Sequence, residues 1–169
     1  VINTKNISVS QGLVVMRATE ELDRGATHDE ILAKVEEWIA KTRLYVDIAT
    51  LKYLVRGGRL SPMKGLLARL LHLKPIITLD KDGKAHAFGK SFGRKANMKR
   101  ILALIRKMAG KGKIWRYAIV HAQNPSRAQA YAAKLEPMLG EPPAYIMDVS
   151  PVVGAHNGIG VVGIALMHE

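Results

Sequence analysis

The sequence predicts an α/β protein, a sandwich of helices on a mixed β-sheet. Three observations carry the prediction. Segments of helical periodicity alternate with segments of strand periodicity along all 169 residues. One pair of short strands, joined at Asp82-Gly83, interrupts that alternation and adds an antiparallel element. Hydrophobic residues make up 48% of the chain but aromatics only 5%, so the core is expected to be Leu, Ile, Val, Ala and Met.

In chain order, residues 1–4 read as the end of a strand, and a Ser/Gln/Gly turn follows to Gly12. Leu13, Val14, Met16, Ala18 and Leu22 predict a helix over 13–24, closed by Gly25. Thr27 with Glu30 three residues on is a capping box, and Ile31, Val35, Trp38 and Ile39 mark the inner face of the helix it opens. The alternation over 45–49 predicts a strand. Residues 51–54 form one short helical turn that Gly57-Gly58 ends. Ser61-Pro62 opens a helix to about His72, with Ser as N-cap and Pro at its first position. Residues 75–79 and 85–88 are the two strands of the Asp82-Gly83 hairpin. Met98, Ile101, Leu102, Ile105 and Met108 form the buried stripe of a helix over 94–109. A strand over 115–121, a helix over 126–139 capped by Asn124 or Ser126, and strands over 144–149 and 161–168 complete the order.

No run approaches the roughly 18 apolar residues of a membrane-spanning helix. The start has neither the pattern of a signal peptide nor an initiator Met. Cysteine is absent, which excludes disulfides and thiolate metal sites and fits a reducing cytosol. The net charge of +12 is concentrated: residues 50–116 carry 18 basic side chains against Asp80 and Asp82, while both flanks are mildly acidic. Such a field suits an anionic partner, although a solvated surface is the plainer reading of any single charged helix. Lys95, Lys99, Arg100, Arg106, Lys107, Lys111 and Lys113 cluster in this segment. A nucleic-acid or phosphate-binding module built on 50–116 is therefore the alternative function, although aromatic platforms and known nucleic-acid motifs are lacking there.

Two glycine-rich stretches stand out. Pro151-Val152-Val153-Gly154-Ala155-His156-Asn157-Gly158-Ile159-Gly160 reads as a tight turn between two strands, with one histidine held in it. That turn is either a plain hairpin or a place where His156 meets an oxyanion. Arg56-Gly57-Gly58-Arg59-Leu60-Ser61 joins free backbone amides, two guanidinium forks and a helix start, a combination suited to an anion. Catalytic patterns are missing: there is no Walker A loop, no Gly-x-Gly-x-x-Gly, no His-Glu-x-x-His and no Gly-x-Ser-x-Gly. The six histidines lack ligand spacing, and His121 reads as a satisfied residue at a strand end.

Three blocks carry a resemblance. They are Asn3-Thr4-Lys5-Asn6-Ile7-Ser8 with Gln11-Gly12-Leu13; Thr50-Leu51-Lys52-Tyr53-Leu54-Val55-Arg56-Gly57-Gly58-Arg59-Leu60-Ser61, continuing to Leu73-Lys74-Pro75-Ile76-Ile77 and Asp82-Gly83-Lys84; and Gly154-Ala155-His156-Asn157-Gly158-Ile159-Gly160. In this order and spacing the chain resembles the DegV family of bacterial fatty-acid-binding proteins. The resemblance implies the EDD fold: a cytoplasmic, two-domain α/β protein of phospholipid metabolism that holds a long-chain fatty acid in an apolar tunnel. It also implies a carrier, not an enzyme, without cofactor or metal. The acyl carboxylate would be presented to a fatty acid kinase catalytic subunit, or a fused kinase domain, which forms the acyl phosphate.

By position, the resemblance puts His156, with Gly154 and Ala155, at the acyl carboxylate, and Arg59, with Gly58, near the head group or partner face. The family's Lys-x-Arg after the hairpin reads Lys90-Ser91-Phe92-Gly93-Arg94 here, with Phe92 at the arginine's place. Lys90 and Arg94 are the candidates for partner docking, with Arg94 as the substitute. The family's Thr-Ser and Ser-Gly-Thr motifs, whose hydroxyls bind the carboxylate, have no counterpart. Residues 1–44 are thus expected to be the helical tail of an N-terminal lobe, and 45–169 the C-terminal α/β lobe, of a truncated or naturally short chain. A site short of those hydroxyls is expected to bind acyl chains weakly by itself.

Overall fold

The computed structural model describes residues 1–59, 74–88 and 93–169. The helix expected over 61–72 lies outside these residues, as do Lys90 and Phe92. The described elements are α1 (Val9–Asp23), α2 (His28–Lys41), β1 (Thr42–Asp47), α3 (Lys52–Arg56), β2 (Ile76–Leu79), β3 (Ala85–Phe88), α4 (Arg94–Ala109), β4 (Ile114–His121), α5 (Pro125–Leu139), β5 (Ile146–Asp148), α6 (Pro151–Asn157) and β6 (Val162–His168). The strands form a sheet of order β3-β2-β1-β6-β4-β5. Neighbours are antiparallel except β4 and β5, which are parallel, so the sheet is mixed as expected.

Period-2 alternation sorts the strand residues into two layers. Tyr117, Ile119, Ile164 and Leu166 face α4 and α5, where they meet Ile101, Ile105, Tyr131 and Leu135. Ala118, Val120, Ala165 and Met167 face α1 and α2, where they meet Val9, Leu13, Val35 and Trp38. With helices on both sides, β4 and β6 are buried on both faces, which explains their nearly unbroken apolar runs.

The local signals that hold are the ones with a side-chain mechanism. The Thr27 Oγ1 accepts from the Glu30 N–H at 3.3 Å, and the Thr27 N–H donates to Glu30 Oε2 at 2.7 Å, so the capping box is complete. Thr27→Ala is expected to lower stability by about 1 kcal/mol, measured as a lower urea midpoint at constant slope. The hairpin closes because Asp80 Oδ1 accepts from the N–H groups of Asp82 and Lys84, both at 2.9 Å. Helix α4 spans the 94–109 expected from its stripe.

Four expectations need correction. Residues 1–4 are not a strand: Asn3 Oδ1 accepts from the Lys5 N–H and Thr4 Oγ1 from the Asn6 N–H, and these local bonds replace a ladder. Helix α1 begins at Val9, because Gly12 already donates to Ser8 O in helical register. Strand β1 begins at Thr42, three residues early. The largest difference is at 151–160, where the expected tight hairpin turn is a helix. Ser150 Oγ accepts from the Val153 N–H and Pro151 takes the first position, opening α6. Strands β5 and β6 are therefore not hairpin partners; β4 lies between them.

Candidate functional site

Strands β1 and β4 both run antiparallel to β6, so their carboxyl ends, Asp47 and His121, lie at the sheet edge where β6 begins. Helix α3 follows β1 at this edge, and α6 leads into β6. They close over Ile48, Leu51, Leu54, Ile77, Ala122 and Val161. Two glycines permit the close approach of α3 and α6. A Cβ on Gly57 would collide with the His156 ring, and a Cβ on Gly158 would collide with the ring of Tyr53. The glycines of the two sequence motifs thus hold the two helices together.

Beneath this contact, on the α1 side of the sheet, lies a cavity of about 520 Å³. That is within the roughly 300–1,000 Å³ usual for small-molecule sites. Its floor is one cross-strand row: Val46 of β1 pairs with Gly163 of β6, which pairs with Val120 of β4. Gly163 leaves a dip that a side chain would fill, since its Cβ would stand 3.1 Å from Val120 Cγ2. Leu44, Leu54, Ile77, Val149, Val153 and Val161 add apolar wall. Thr78 also lines it, but its hydroxyl is already donated to Leu44 O at 2.7 Å.

The polar lining is small and includes three cationic or titratable side chains: Arg59, Lys84 and His156. Arg59 donates one Nη1 bond to Gly57 O at 2.9 Å. The His156 ring has no hydrogen-bond partner among the described residues. Asn157 is beside it, with Nδ2 donated to Val153 O at 2.9 Å. The fold therefore brings Gly58, Arg59 and His156, 98 residues apart at the extremes, to one cavity. Gly154 and Ala155 lie on α6 but outside the lining; Gly154 faces Val149 and Ala155 is exposed. The basic segment divides. Arg59 and Lys84 reach the cavity, whereas the exposed Lys95, Lys99, Arg106 and Lys107 sit on α4, across the sheet.

Arg94 is half-buried, and its Nη2 donates to the carbonyl of Gly160. It belongs to a cluster that the sequence reading missed. Asp47, fully buried, accepts from Asn97 Nδ2 at 3.1 Å, Arg127 Nε at 2.6 Å and the Tyr131 hydroxyl at 3.1 Å. Burial and the adjacent carboxylate push the Tyr131 phenol well above its ordinary range. The available signal was Asp47 itself, the one charge in the apolar run from Tyr45 to Ala49. His121 is buried with Nδ1 2.9 Å from Asp148 Oδ1, the satisfied strand-end histidine expected of it.

Comparison with known proteins gives a consistent result. A family model described as "Uncharacterised protein, DegV family" matches residues 1–169. A DegV domain-containing protein of Clostridium acetobutylicum is 28% identical over 170 residues, covering 100% of this chain and 60% of that relative. Another, from Staphylococcus aureus, is 30% identical over 173 residues, again 100% of this chain and 60% of the relative. Among solved structures, a fatty-acid-binding DegV family protein of Streptococcus agalactiae matches with a TM-score of 0.88 at 26% identity, over 100% of this chain and 59% of that one. DegV of Bacillus subtilis, described as a fatty acid binding protein, matches with a TM-score of 0.86 at 28% identity, over 99% and 60%. The chain spans about 60% of the length of the relatives it matches.

Proposed function

The chain belongs to the DegV family, and from that premise we propose that its cavity holds the acyl chain of a long-chain fatty acid, with His156 and Arg59 at the carboxylate. The observation that carries this reading is the pairing of an apolar cavity with a cationic fork and an imidazole in its lining. Each methylene taken from water contributes about 0.8 kcal/mol, so the chain supplies most of the affinity. The head-group contacts set which end faces the opening. Relatives that are 26% and 28% identical are themselves named as fatty-acid-binding proteins, which supports the ligand class.

The carrier role extends this reading. The protein would present the carboxylate oxygen to a kinase subunit or fused kinase domain that supplies the phosphoryl group, itself performing no bond chemistry. The family resemblance supports that division of labour. The test is lipid identification by native mass spectrometry of the full-length protein, together with titration by a fluorescent long-chain fatty acid. His156→Ala removes one charge-assisted or neutral hydrogen bond to the carboxylate and is expected to weaken the probe by about tenfold. Absence of both co-purified lipid and probe binding would refute the proposal; salt-sensitive binding of arbitrary DNA instead would favour the nucleic-acid alternative.

A further inference from the structure

The Asp47 cluster links the loop that leaves α6 to one buried charge. Asp47 takes three donors from α4 and α5, as described above. Arg127 donates a second bond, Nη2 to the Arg94 carbonyl at 2.5 Å, and the Arg94 guanidinium reaches on to the carbonyl of Gly160. The same carbonyl accepts from Asn124 Nδ2 at 3.1 Å, and the Gly160 N–H donates to Ala122 O at 2.8 Å. Gly160 is therefore the point where the loop between α6 and β6 is fastened. Two residues earlier, Gly158 lies against Tyr53 of α3, and its N–H donates to Gly154 O at 2.7 Å, closing α6 behind His156.

Stability alone is a poor account of this arrangement. Asp47 pairs with Arg127 alone, leaving the second guanidinium, on Arg94, without a carboxylate of its own among the described residues, and Arg94 Nε and Asn97 Oδ1 are buried without a partner there. Burial, and then the like charge of Arg127, hold the Arg94 guanidinium below its ordinary range, while Asp47 offsets part of that. Buried ion pairs seldom outdo well-packed apolar residues as sources of stability, and half-satisfied networks do worse. What the cluster does supply is direction: a fixed Arg94 donor to the Gly160 carbonyl and hence a fixed exit from α6.

We propose that Arg94, held by the Asp47–Arg127 pair, is a positioning residue that fastens Gly160 and thereby sets His156 against α3 and the cavity. Its effect on ligand affinity rests on the acyl-site reading; its effect on the His156 ring does not. Arg94 acts through the loop and touches no ligand.

The experiment uses the full-length protein labelled with 15N-histidine, the His156 ring signals being assigned by their loss in His156→Gln. Arg94→Met keeps the stem and removes both charge and donor. It is expected to shift the His156 ring signals and to weaken a fluorescent long-chain fatty acid by about tenfold, the size of one lost charge-assisted hydrogen bond. Arg94→Lys, which keeps a charge and a donor, is expected to restore most of both. Asp47→Asn should move the same signals from the far end of the network. Should Arg94→Met not fold, Arg94→Gln reports on the same fastening. An unmoved His156 ring overturns the proposal, as does unchanged affinity in a protein that binds the probe. If the unsubstituted protein binds no probe while the ring still moves in Arg94→Met, the positioning role stands and the acyl-site reading falls.

Discussion

Asp47→Ala is expected to lower the unfolding free energy by about 3–5 kcal/mol, the usual effect of removing one partner of a buried ion pair. Asp47 is fully buried, and its loss strands Arg127, whose side chain is only 16% exposed, beside a second guanidinium on Arg94. It also leaves the Tyr131 hydroxyl and the Asn97 amide without their acceptor. Buried polar groups left unpaired carry their full desolvation cost. The measurement is chemical denaturation followed by tryptophan fluorescence, with Trp38 and Trp115 as reporters; both are buried against the opposite face of the sheet. The midpoint should fall with little change in slope. A loss near 1 kcal/mol or less, the value of an exposed pair, would show that Arg127 escapes to water and that the cluster is loosely held. The paired substitution Asp47→Leu with Arg127→Met should recover much of the loss, because it removes the charges together.

How far the fold was legible depends on the range of the interaction that decides each element. Helix α4 was readable to the residue because five apolar side chains at helical spacing face one core, and no competing pattern overlaps them. The Thr27 box and the Asp82-Gly83 turn were readable because their hydrogen bonds span two to four residues. Helix α6 was not, since Val152, Val153 and Gly154 all have poor helix propensity. The cue for it is Ser150-Pro151, the same cap-and-proline pair that predicts a helix from Ser61-Pro62. Packing against α3, with Gly57 receiving His156 and Gly158 receiving Tyr53, decides in favour of the helix.

The site divides in the same way. Arg59 and His156 were picked out by motif, and the fold brings both to one cavity. The cavity itself had no sequence signature, because its lining runs from Ile7 to Gly163 and depends on the register of three strands. Nor did the Asp47 cluster: its partners stand 50, 80 and 84 residues away. A buried acid can be suspected from a single charge in an apolar strand, but its partners follow only from the way α4 and α5 pack on the sheet.

The substitution expected to act most strongly on the site is Gly158→Val. Gly158 is buried at φ 83° and ψ 166°, a backbone region that is essentially reserved for glycine and costs other residues about 1–3 kcal/mol. The new side chain would also collide with the Tyr53 ring, and overpacking of this kind adds roughly 1–3 kcal/mol more. Two routes relieve the conflict: α6 lifts from α3, or the loop to β6 changes course. Either one withdraws His156 from the cavity, since the Gly158 N–H closes the last turn of α6. Affinity for a long-chain fatty acid probe is expected to fall about 100-fold, equivalent to roughly 2.7 kcal/mol, with a lower thermal midpoint. Adding Tyr53→Ala removes the collision but leaves the dihedral strain, so the double variant should regain only part of the affinity. Full recovery would assign the whole effect to the ring contact. A Gly158→Val protein with unchanged midpoint and affinity would mean that α6 does not depend on Gly158 for its seat against α3.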